Sequence, residues 1–154
     1  MSREDIYNSV LEYLDLIEVG RKDAQENLQT LEKVLAKLAL AYYYSDYQFD
    51  ETDYPDAPEG EKKWHKLAAE RFPDFGYYNM PISITQQPGE PQWGGGYAID
   101  DIGDIATDLH EVAWCWQNTS IEDALWHFRF GFESHWGEHL RYLQLYIHAF
   151  KNEL

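Results

Sequence analysis

Four of the six histidines, His127, His135, His139 and His148, lie in the last quarter of the chain, in the run SIEDALWHFRFGFESHWGEHLRYLQLYIHAFK from Ser120 to Lys151. On a helix, His135 and His139 stand at i and i+4 and project to the same side, where two imidazoles can share one metal ion. The string His135-Trp136-Gly137-Glu138-His139 also reads H-x-x-E-H, the inverted zinc-protease pattern, in which a glutamate polarises a metal-bound water. Only fifteen residues follow His139, and Glu153 is the one acidic side chain among them, so a third ligand must come from upstream. At about 100° per residue both histidines fall in the middle of the apolar face. An ionisable pair on a core stripe needs partners, because burying an unpaired polar group is costly.

The upstream acids are Asp101, Asp104, Asp108 and Glu111, which step by three and four and form one ridge beside the apolar stripe of Ile102, Ile105, Leu109 and Val112. Like charges at this spacing destabilise a helix by roughly a few tenths of a kcal/mol per pair. Asp100 and Asp101 are accounted for by the helix N-terminus, where negative charge is favoured. Asp104, Asp108 and Glu111 lie deeper and call for a cation, the histidines of the last helix, or Arg129 and Arg141, the only arginines after Arg71. Arg129 sits at the edge of the apolar face and suits planar pairing with a carboxylate. The favoured expectation is a polar seam of Asp104 and Asp108 against Arg129, His135 and His139, with no cofactor. The competing one is zinc or another divalent metal on His135 and His139, with Asp104 or Asp108 as third ligand and Glu138 as general base.

These residues need helices to position them. Ser2 caps a first helix over Arg3 to Val19, stopped by Gly20, and a second begins near Asp23 and carries Leu28, Leu31, Leu35 and Leu38 on one face. A third spans Gly60 to Arg71, ended before Pro73. The stretch from Pro73 to Tyr97 holds four prolines and the run Gly94-Gly95-Gly96, too much punctuation for a helix. Within it Ile82 to Thr85 alternates and predicts a short strand, while the three glycines suggest a hinge. A fourth helix runs from Ile99 to Gln117, and the Asn118-Thr119-Ser120 turn caps the fifth. The expected fold is all-α: one domain over residues 1–154, a bundle of about five helices with a long Pro/Gly-rich connection before the fourth.

Composition excludes whole classes of function. A net charge of -16 argues against a nucleic-acid surface, which needs clustered Lys and Arg. No apolar run approaches the ~18 residues of a membrane span, and MSREDIYN lacks a signal-peptide layout. The lone Cys115 forms no internal disulfide, which fits a reducing cytoplasm, and its acidic neighbours disfavour a nucleophilic thiolate. The charge is also unevenly spread: seven acids and no base lie between Asp46 and Glu61, and no Lys or Arg occurs from Phe72 through Phe128. Such a field attracts cations and basic partners. The acidic–aromatic block around Tyr43, Tyr44, Tyr47, Phe49 and Tyr54, together with Trp93 in the Gln86–Tyr97 loop, supplies candidate contacts for a basic protein.

Three blocks, Phe72 to Asn79, Ala98 to Leu109 and Trp126 to Leu140, resemble a bacterial family known as domain of unknown function 5063. The likeness extends over most of the chain and implies a small helical cytosolic protein, with no activity or catalytic residue to carry over. The leading functional expectation is an acidic, non-enzymatic interaction protein for a basic partner, such as an immunity or inhibitor protein. The alternative is a metal-dependent hydrolase built on His135 and His139.

Overall fold

Ser2 opens the first helix. Its side chain accepts the Asp5 backbone N–H at 3.1 Å while the Asp5 carboxylate accepts the Ser2 N–H at 2.7 Å, a reciprocal capping box. In the computed structural model, which describes residues 1–59, 63–89 and 92–153, this starts α1 (Arg3–Glu18). Ile6, Val10, Tyr13 and Ile17 recur at helical spacing and are all buried. Gly20 ends the helix with φ of +83°, a conformation other residues rarely adopt. Arg71 closes the same helix end, its guanidinium donating to the Glu18 carbonyl at 2.9 Å and leaving no room for a Cβ on Gly20.

The Asp23 carboxylate accepts the Glu26 N–H at 2.9 Å and starts α2 (Ala24–Tyr42), which lays Leu31, Val34, Leu35 and Leu38 against α1. α3 (Lys63–Arg71) buries Trp64 and Ala68; its expected start at Gly60 lies outside the described residues. From Ser45 to Glu59 the backbone is irregular, tied down by Asp50, which accepts from Ser120 Oγ at 2.6 Å and from the Tyr54 hydroxyl at 2.7 Å.

The strands are not where alternation predicts them. β1 (Tyr77–Pro81) and β2 (Trp93–Tyr97) form an antiparallel hairpin in the register Tyr77↔Tyr97 through Pro81↔Trp93. Gly94, Gly95 and Gly96, expected as a hinge, are the middle of β2, whereas Ile82 to Thr85 forms exposed bends. Gly96 serves close approach: a Cβ there would collide with the Tyr78 ring. β2 runs straight into α4 (Ala98–Asn118), whose first N–H, from Ala98, donates to the Gly76 carbonyl at 3.1 Å. α4 is the hub, packed by α1, by α3 and by the C-terminal helical segments.

The last helix is continuous from Ile121 to Asn152 but not uniform. α5 (Ile121–Gly131) passes into a π-helical turn (Phe132–Trp136) and then α6 (Gly137–Asn152). The cause lies in the apolar stripe Phe128, Phe132, Trp136, Leu140, three successive steps of four residues. Each such step overshoots an α-helical turn by about 40°. The wider π turn, closed by the Gly137 N–H on the Phe132 carbonyl, absorbs the overshoot and keeps Phe128, Trp136 and Leu140 fully buried. Counting this helix once, the described residues hold five helices, as expected, with the small hairpin added. None of them is long and apolar enough to cross a membrane.

Gly137 is required by this geometry, because a Cβ there would strike the Phe132 carbonyl of the backbone. Gly137→Ala is therefore expected to lower stability by about 1–3 kcal/mol, despite alanine's better helix propensity. Urea denaturation measures this; a stabilised variant would show that the π turn does not depend on the glycine.

Candidate metal centre

Steps of three and four place Asp101, Asp104 and Asp108 on one face of α4. Asp101 is only 4% exposed. Its Oδ1 accepts from His139 Nδ1 at 2.7 Å and its Oδ2 from the Tyr78 hydroxyl at 2.6 Å. Asp104 Oδ1 accepts from His65 Nε2 at 2.9 Å, and its Oδ2 lies 3.4 Å from His139 Nε2. Asp108 Oδ2 pairs with His135 Nδ1 at 2.6 Å. Three carboxylates of one helix thus meet three imidazoles, from α3, the π turn and α6. The seam is closed at the hairpin end and open at the other, where the His135 side chain is 49% exposed.

The electrostatics follow from these contacts. The hydrogen bond to Asp101 raises the His139 pKa above the ordinary imidazole value, against the opposing effect of burial, and the charges of Asp101, Asp104 and Glu138 add to it. Burial and the bond to Asp101 push the Tyr78 phenol far above its usual range. Beneath the seam, the buried Tyr13 hydroxyl donates to the Ile102 carbonyl at 2.9 Å. Gly103 makes room for His65, since a Cβ there would fall on the imidazole ring.

Of the residues singled out from sequence, Asp104, Asp108, His135 and His139 come together and Arg129 does not. Its guanidinium stacks over the Tyr42 ring at 4.8 Å and lies 3.6 Å from Asp46 and 3.5 Å from Glu133. Arg129 precedes the π turn, so its face is rotated away from that of the two histidines. The same turn moves His135 and His139 off the middle of the apolar face to its rim, while Trp136 and Leu140 take the core. Glu138 is exposed beside His139. Asp101, accounted for above by the helix N-terminus alone, is the most buried carboxylate of the seam. Its place on the acidic spacing was the available signal; His65 and Tyr78 come from distant elements and had none.

Among the aromatic contact candidates, Tyr43 (65%), Phe49 (70%) and Trp93 (62%) are open to solvent, as is Tyr44. Tyr47 packs partly on the core, and Tyr54 is half-buried against Asp50.

The atoms of the seam suit a divalent ion in one place. One ligand atom each from Asp104, His135 and His139 lie within 4.8 Å of one another. Around a tetrahedral ion with bonds of about 2.0–2.1 Å the spacing is about 3.3 Å, so modest side-chain rotation closes the set. His135 and His139 each have Nδ1 held by a carboxylate, the arrangement that orients metal-ligating histidines and leaves Nε2 for the ion.

Fold and site together define a helical bundle whose central helix carries a carboxylate–imidazole seam. Residues 77–152 match the model of a family described as Domain of unknown function (DUF5063), and this part of the chain belongs to it. That bears out the resemblance read from the sequence over residues 77–152; every residue of the seam except His65 lies inside the matched segment. The crystal structure of protein BF1032 from Bacteroides fragilis, a structural-genomics target, shares the fold at 14% sequence identity and a TM-score of 0.73, over 97% of this chain and 95% of that one. No curated protein matches the chain in sequence.

His139 generates a pH prediction. A folded pKa raised above the unfolded value of about 6.5 gives stability that is complete below pH 6.5 and lost as pH rises through the folded value. Metal-free protein in chelator is expected to show a falling denaturation midpoint from pH 6 to pH 8.5. His139→Gln is expected to flatten that slope. A wild-type midpoint that holds steady or rises would contradict a protonated His139 clamped between Asp101 and Asp104.

Proposed function

We propose that the seam binds zinc or another divalent first-row metal through Asp104, His135 and His139, and that the chain is a metal-dependent hydrolase. The observation that carries this reading is the tethering of both histidines by carboxylates, Asp108 on His135 and Asp101 on His139. Three protein ligands leave a tetrahedral ion a fourth position for water, whose pKa the ion lowers. Glu138, adjacent to His139 and exposed, is the candidate base for that water. Binding requires the Nε2 proton of His139 to leave, so affinity rises with pH. The test is elemental analysis of untagged protein beside the His135→Ala/His139→Ala variant. The variant is expected to carry about one metal equivalent fewer than wild type; equal contents would overturn the reading.

A second reading is favoured by a different surface. Tyr43, Tyr44 and Phe49 expose their rings beside Asp46, whose side chain is 94% exposed, and the local backbone is pinned rather than free. Such a surface suits a basic protein partner in the cytoplasm, where the single free Cys115 would stay reduced. An arginine-rich peptide is expected to bind at low salt and to weaken as salt rises. Tyr43→Ser/Phe49→Ser is expected to weaken it at least tenfold further. Binding indifferent to those rings would reduce the surface to a diffuse negative field.

A further inference from the structure

A second cluster of metal-ligating atoms lies at the opposite end of α4, outside the seam. Cys115 comes from the last turns of α4, and Asp123 and His127 stand at i and i+4 in the first turns of α5. The Asn118-Thr119-Ser120 turn folds the two helices together, with Ser120 capping α5 through the Asp123 N–H at 3.0 Å. One ligand atom from each of Cys115, Asp123 and His127 lie within 4.8 Å of one another.

The two oxygen and nitrogen donors are already oriented. Asp123 Oδ2 accepts the Thr119 hydroxyl at 2.7 Å, while its Oδ1 lies 3.8 Å from His127 Nε2. His127 Nδ1 lies 3.3 Å from Glu111 Oε1, within ion-pair distance of a carboxylate when the ring is protonated. Cys115 is buried, and burial together with the charges of Asp123 and Glu111 pushes its thiol up to about 12. Without a metal it is an inert thiol. A coordinated thiol, by contrast, is deprotonated outright.

A cleft of about 280 Å³ opens over the cluster, bounded by Tyr54, Asp56 and Trp126. The segment that walls it is anchored to the same turn through the Asp50–Ser120 hydrogen bond. The cleft gives an ion an entry path and gives water access to a fourth coordination position.

We propose that Cys115, Asp123 and His127 form a zinc site, with Glu111 orienting His127 and water completing the tetrahedron. The mixed sulfur, oxygen and nitrogen set selects zinc over magnesium or calcium, which take oxygen ligands. The binding step releases the thiol proton as the zinc–sulfur bond forms, and thiolate and carboxylate then balance the two charges of the ion. This site stands independently of the seam.

Cobalt(II) separates the two sites, because only a thiolate ligand gives an intense sulfur-to-cobalt charge-transfer band in the near ultraviolet. Metal-stripped, untagged full-length protein titrated with cobalt(II) is expected to develop that band and to lose it when zinc is added. The band is expected to be absent from Cys115→Ser and retained in His135→Ala/His139→Ala. His127→Asn is expected to weaken cobalt binding at least tenfold, with circular dichroism confirming that the variant is folded. No charge-transfer band in the wild-type protein would overturn the proposal whatever the variants do. A band lost with the seam histidines would overturn the independence of the site.

Discussion

A carboxylate with 4% of its surface exposed is the constraint around which the C-terminal half is arranged. Left charged and unpaired in that position, Asp101 would cost roughly several kcal/mol, a large fraction of the stability of a typical domain. Its two partners come from different parts of the chain, Tyr78 from the hairpin and His139 from the last helix. The hairpin therefore does more than connect α3 to α4. Gly96 lets the Tyr78 ring lie across β2, and the Gly76–Ala98 hydrogen bond fixes where α4 begins relative to it. A displaced hairpin would orphan a buried acid, which links a loop-like segment to the core.

The π turn answers the same constraint from the other side. An uninterrupted α-helix would have to choose between burying the apolar stripe Phe128, Phe132, Trp136 and Leu140 and aiming His135 and His139 at α4. The extra residue in the Phe132–Trp136 turn rephases the helix so that Trp136 and Leu140 face the core while the histidines reach Asp108 and Asp101. Arg129, on the upstream side, is left to Tyr42, Asp46 and Glu133.

Local signals made the helices legible. Ser2, Asp23 and Ser120 cap as their side-chain chemistry predicts, and Gly20 stops α1 because of its positive φ. The hairpin was illegible for a physical reason: β2 is held by backbone pairing, with Gly96 giving room to the Tyr78 ring, so propensity pointed instead to Ile82–Thr85. Half of the seam could be read from periodicity, which placed Asp104 and Asp108 opposite His135 and His139. The other half depends on packing between distant elements, which brings His65 over Gly103 and Tyr78 onto Asp101. The involvement of Arg129 was wrong because a constant 100° per residue carries its phase across a turn that does not obey it.

The charge distribution gives the seam its character. No lysine or arginine occurs between Phe72 and Phe128, and Arg129 and Arg141, the two arginines that follow, pair elsewhere: Arg129 with Asp46 and Glu133, Arg141 with Gln144. The three stacked carboxylates of α4 are therefore compensated by imidazoles, side chains that exist in both charged and neutral forms. A lysine or arginine in the same positions would neutralise the ridge permanently and exclude a metal ion by repulsion. Histidines do neither: protonated, they hold the ridge together as ion pairs, and deprotonated, they offer nitrogen lone pairs to a cation that supplies the missing positive charge. Asp101, whose hydrogen bond raises the His139 pKa, also holds the ring by Nδ1, so under the proposed metal binding proton and metal would compete for the Nε2 of one imidazole. Occupancy of the proposed site would then be set jointly by pH and metal concentration, a dependence that a lysine- or arginine-paired ridge could not have.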